Sequence, residues 1–196
     1  GTLIWEVYVD ILARNEVSAF LVSDGSGGVI LSGAVEDSVG NWSQFTTTFT
    51  SLGVHGSIDT SSINSGSIGV PKDIVRDQNG YVYYTGTTFN GIDHDIKIFK
   101  LDSTMSLVWE RTFDQGNEGS NSVCIDKNGT VFVGGWQEFS GVDKGLLLVK
   151  YSSGGSYLGR KRFAPSSFYN ESELTSIKID MNGLDINFIG YTGNTI

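Results

Sequence analysis

The sequence predicts an all-β chain, built from an antiparallel four-strand unit that recurs about every 50 residues. Three observations carry this prediction. The composition is rich in glycine and aromatics and poor in charge, one turn motif returns at near-constant spacing, and two further strand patterns return with it.

Of 196 residues, 39% are hydrophobic, 12% aromatic and 18% charged, with 26 Gly and 2 Pro. A helical protein would carry more Ala, Glu, Lys and Leu. Many short strands joined by Gly, Asn, Asp and Ser turns give this profile instead, and it is too apolar for a disordered chain. The length suits one domain spanning residues 1–196. The 22 acidic and 13 basic residues give a formal net charge of −9. A field of that sign repels nucleic acid and anionic membranes, and is compatible with cations, neutral glycans or basic protein patches. No apolar run reaches the length of a bilayer span, so neither nucleic-acid binding nor membrane insertion is expected.

The turn motif reads Asp77-Gln-Asn-Gly80-Tyr-Val82, Asp126-Lys-Asn-Gly129-Thr-Val131 and Asp180-Met-Asn-Gly183-Leu-Asp-Ile186, with a looser Asp24-Gly-Ser-Gly27-Gly-Val29. The leading aspartates are 53, 49 and 54 residues apart. Each copy is a hairpin between strands A and B, its Gly supplying the positive φ of the turn. A further Gly at 33, 86, 135 and 190 is expected to end strand B where backbones crowd. Strand C follows as Asp95–Leu101 and Gly145–Tyr151, and strand D as Ser106–Phe113 and Ser156–Phe163, each pair 50 residues apart. This organisation is the signature of β-propeller blades. The approximate repeats are 10–59, 60–113, 114–163 and an incomplete 164–196, and the chain holds about 3.5 to 4 blades. Thr2-Leu-Ile-Trp5-Glu matches strand D, so residues 2–9 are expected to be the outer strand of a preceding blade.

The pattern Asp-x-x-Gly-x-Val-x-x-x-Gly, a strand ending in Lys-Leu or Lys-Tyr, and a Trp-containing strand resembles the SBBP-type β-propeller repeat. The match runs well from 68 to 163 and weakly from 34 to 66, where Phe45–Thr50 lacks the Lys and Val54–Asp59 lacks the Trp. The resemblance implies a propeller fold, a place in a large secreted or surface protein, and no shared catalytic motif. It also places the B–C and D–A loops on one face. The B–C loops are then 34–41, 87–94 and 136–144, and the D–A loops about 60–72, 114–121 and 164–174.

On that face the ligand-binding candidates are Trp42, Asp93, His94, Trp136, Glu138 and Asp143. Trp42 and Trp136 could stack on a sugar or a partner surface. Asp93-His94-Asp95 is the densest ionisable cluster, but adjacent strand residues point to opposite faces. It reads as a solvated loop, and no metal site or cofactor is assigned. The Asp-x-Asn-Gly turns lack the later ligands of a calcium loop. Trp5 and Trp109 recur at one blade position and read as packing between blades. Cys124, flanked by Val123 and Ile125, reads as a small packed residue, and no intrachain disulfide can form. No nucleophile motif or phosphate-binding loop is present, so no catalytic residue is assigned.

Asn41-Trp-Ser, Asn128-Gly-Thr and Asn170-Glu-Ser are glycosylation sequons in expected loops, which favours a secreted or cell-surface protein. Units left incomplete at both ends would expose strand edges, which favour pairing with other chains or copies of this one. Head-to-tail contacts that do not close would build a filament. The expected function is a non-enzymatic structural or adhesive module. The alternatives are a carbohydrate- or protein-binding propeller and, further off, a propeller lyase, hydrolase or quinone-dependent oxidoreductase.

Overall fold

The computed structural model describes residues 2–10, 15–36, 42–56, 58, 71–139, 144–163, 171–179 and 185–193. Among them lie thirteen β-strands and no helix, hence no helix long and apolar enough to cross a membrane. The strands fall into four antiparallel blades of a β-propeller. Blade 1 holds β1 (Glu16–Ser23), β2 (Val29–Glu36) and β3 (Trp42–Phe49). Blade 2 is complete, with β4 (Asp73–Arg76), β5 (Val82–Phe89), β6 (His94–Leu101) and β7 (Leu107–Phe113). So is blade 3, with β8 (Glu118–Ile125), β9 (Val131–Glu138), β10 (Lys144–Tyr151) and β11 (Tyr157–Phe163). Blade 4 shows β12 (Glu171–Ile179) and β13 (Ile186–Gly193), whose strand pairing with blade 3 is the one parallel pair of Lys144 with Glu171.

The A–B turns form because the leading aspartate caps them. Asp77 Oδ1 accepts from the amides of Asn79 and Tyr81 at 2.9 and 3.0 Å, and Asp126 Oδ1 from those of Asn128 and Thr130 at 2.9 and 2.8 Å. Gly80 and Gly129 close these turns at φ of 89° and 78°. Gly183 lies outside the described residues.

The second recurring glycine behaves differently from expectation. Gly33, Gly86, Gly135 and Gly190 sit inside their strands rather than at the ends. In blades 1, 3 and 4 this glycine pairs with the inner strand at a register shift, between Ser18 and Phe20, Ser120 and Ser122, and Leu174 and Ser176. The bulge bends strand A and pushes its backbone against strand B. A Cβ at Gly135 would overlap the Gly119 carbonyl, and one at Gly33 would stand 2.5 Å from the Val17 oxygen.

Apolar layers fill the spaces between blades. Blade 2 is apolar on both faces: Val82, Tyr84, Phe99 and Leu101 pack with Ile30 of blade 1, while Tyr83, Ile96 and Ile98 pack with Val123, Val133, Leu147 and Val149 of blade 3. Cys124 is buried with Phe132, Leu174 and Ile177 between blades 3 and 4. At roughly 25 cal/mol per Å² of apolar surface, these layers hold the blades together far more strongly than any single polar contact.

Trp109 donates from Nε1 to the Ser153 carbonyl in the C–D turn of blade 3, at 3.1 Å. Trp5 does the same to Ser51 of blade 1, also at 3.1 Å. Residues 2–10 form no strand ladder, which departs from the strand expected at 2–9, yet Trp5 keeps the packing role of a D strand. The fourth strand expected of blade 1 is reduced to a single bridge, Phe49 with His55, and residues 59–70 lie outside the described chain. The corresponding turn of blade 2 has Met105 at φ 65° where Gly53 and Gly155 stand. Met105 is buried among Ile74, Phe99 and Leu101, filling the layer that receives no Trp from blade 1.

Candidate functional site

The B–C corners are shorter than expected, because the strands run further. Trp42 and His94 open β3 and β6, and Trp136 and Glu138 lie within β9. Of the described ligand-binding candidates, only Asp93 is in a loop. Asp143, Asn41 and Asn170 lie outside the described residues, while Asn128 is exposed in its turn.

Several of these polar groups tie the corners together. Asn117, before β8, accepts the His94 amide on Oδ1 at 3.1 Å and donates its Nδ2 to Glu138, whose own amide bonds the Asn117 carbonyl at 2.8 Å. Blade 1 repeats this clasp: Asn15 donates to the Glu36 carboxylate at 2.6 Å and accepts the Glu36 amide at 2.9 Å. Glu138 is therefore a recurrent element of blade architecture. Asp93 accepts from Asn90 Nδ2 at 2.7 Å, and the His94 ring leans on Phe89 at 5.2 Å. Trp136, half-buried, lies against Gly119 and carries the Lys144 ammonium 4.3 Å from its ring centre. Trp42 is half-buried opposite Glu36.

A second constellation was not recognised in the sequence. Asp95 of β6, Asp114 after β7 and Glu118 at the start of β8 each bring a carboxylate oxygen within 4.8 Å of the others. Asp95 and Glu118 are 3% and 0% exposed, so the solvated-loop reading fails for Asp95. Glu118 accepts from the Gln115 amide at 2.6 Å and from Gln137 Nε2 at 3.2 Å. Asp95 Oδ2 accepts from Asn90 at 3.1 Å, whereas its buried Oδ1 receives no hydrogen bond. Burial, reinforced by Asp95 and Asp114, pushes the Glu118 carboxyl up to about 7. Burial likewise raises Asp95, with Asp114 and Asp93 adding to the effect against Asn90 and Lys97. Asp114 also borders an open cleft of about 400 Å³ lined by Arg111, Phe113, Gln115, Tyr151 and Tyr157.

The cluster is not imposed by the repeat. Asp95 aligns with Gly145, and Asp114 with Ala164. That contrast between blades is the signal from which the sequence could have yielded it. Chemically, three hard oxygen donors of like charge suit a cation.

No family model matches the chain, and no curated protein sequence matches it. Among solved structures it is similar to the crystal structure of a thermostable family-43 glycoside hydrolase, with a TM-score of 0.52 at 12% identity. The alignment covers 88% of this chain and 64% of that one, so the chain spans less than two thirds of its length. At such identity the likeness is one of fold, and it accords with the β-propeller described above.

Proposed function

We propose that the chain is a non-enzymatic structural or adhesive propeller module of a secreted or surface assembly, of the kind built from SBBP-type repeats. It joins other protein chains, or copies of itself, through exposed sheet edges. The observation that carries this reading is β13. Among the described residues it is the terminal strand of its sheet, with β12 on one side, and it presents Ile189 at 70% exposure. A strand in that position is a template for a further strand, because its backbone groups are ready to pair. Sedimentation velocity tests it. Concentration-dependent association that Ile189→Lys weakens supports edge pairing, and association unaffected by that substitution overturns it.

A second reading is favoured by one further feature. Phe89 and Phe139 stand 50 residues apart at the ends of β5 and β9, both exposed, with Ile92 beside the first at 89% exposure. Exposed apolar groups on one rim fit a protein partner better than a purely polar ligand. Glycan-array binding by the intact chain, lost on Trp136→Ala, would favour a carbohydrate-binding face instead.

A further inference from the structure

We propose that Asp95, Asp114 and Glu118 form a calcium site that pins the outer end of blade 2 to the inner strand of blade 3. The three residues come from separate elements: the start of β6, the chain after β7 and the start of β8. One carboxylate oxygen from each lies within 4.8 Å of those of the other two, a spread that one ion with ligands at about 2.3–2.6 Å can bridge.

An acidic cluster alone would prove little. The second observation is Asp95 Oδ1, an ionisable oxygen with no hydrogen-bond donor on a side chain 97% removed from solvent. Buried acceptors left in that state are costly, and a cation supplies what the protein does not. Two nearby cations have other partners, although the Lys97 charge is felt at Asp95. Lys97 is paired with Glu110, and Arg162 reaches Gln137 at 3.5 Å, not the carboxylates. The raised affinity of Glu118 and Asp95 for protons has the same cause, unbalanced negative charge in a desolvated place.

Donor chemistry selects the ion. The set is all oxygen, with no His or Cys, which disfavours zinc and softer metals. Magnesium demands a near-ideal octahedron, whereas calcium tolerates irregular shells completed by water. The exposed Asp114 leaves a route for that water from the adjoining cleft.

The test uses the intact chain, stripped with chelator and titrated with calcium chloride. Millimolar calcium is expected to raise Tm by about 3–6 °C, the shift for saturation some tenfold above Kd in a chain of this size. Magnesium at equal concentration should do markedly less. Terbium should luminesce on excitation of the tryptophans, Trp136 packing against Gly119 beside Glu118, and calcium should quench that signal. Asp114→Asn, at an exposed position, should abolish both effects, as should Asp95→Asn. No calcium-dependent shift in the wild type, or full retention of it in Asp114→Asn, overturns the site. Equal stabilisation by magnesium overturns the assignment to calcium.

Discussion

Glu118→Gln is expected to stabilise the calcium-free chain at neutral to alkaline pH and to flatten its pH profile. In the fold the Glu118 carboxyl is raised from an ordinary 4.5 to about 7, so the ionised form is disfavoured there relative to the unfolded chain. A raised carboxyl contributes stability that is fully present below the unfolded value and is lost as pH rises through the folded one. The gap corresponds to a ceiling of about 3 kcal/mol at alkaline pH. Glutamine removes the charge and keeps an acceptor for the Gln115 amide, but one amide group must then face the Gln137 amide. Losing part of that contact costs about 1 kcal/mol, which leaves a net gain of about 1–2 kcal/mol. The assay is urea denaturation in chelator across a pH series. The wild type should gain stability as pH falls from about 8 to about 5, with Asp95 acting in the same direction, and the variant should change much less. A wild-type profile that is flat over this window, or a variant less stable at pH 8, would refute the buried-charge argument. In saturating calcium the order should reverse, because the variant loses a ligand.

Replacing Gly80 or Gly129 by Val should destabilise by roughly 1 kcal/mol or more, since both hold left-handed φ; unchanged urea midpoints in both would contradict the turn assignment. Trp109→Ala should cost about 3–5 kcal/mol through lost burial and the Ser153 bond, and clearly more than Trp5→Ala, whose ring is only half-buried; equal losses would refute the difference in packing. Cys124, buried between blades 3 and 4 with its thiol pushed up to about 12, should react with a thiol reagent only on unfolding, and rapid labelling of the native chain would contradict its placement.

The strands and turns were legible because each depends on neighbours in sequence. Asp77 caps its own turn four residues on, and Gly129 answers a local φ. The recurrence of Trp5 and Trp109 was legible too, although their shared partner, the carbonyl of a distant C–D turn, was not. Gly135 shows where pattern misleads. Its recurrence suggested a strand end, but its cause is a bulge on the neighbouring strand, which periodicity along one strand does not report. The carboxylate cluster escaped for a related reason. Asp95 looked like one member of an exposed Asp-His-Asp run, and its real partners lie 19 and 23 residues further on, brought together only when blades 2 and 3 pack. Glu138 looked like a free ligand group until its clasp with Asn117, duplicated by Asn15 and Glu36, became visible.

Sedimentation velocity of the wild-type and Ile189→Lys chains, side by side from low to high micromolar concentration, tests the module's role most directly. The expected result is a sedimentation coefficient that climbs with concentration in the wild type and stays at the monomer value in the variant. A wild type that remains a single monomeric species throughout would contradict assembly through the β13 edge.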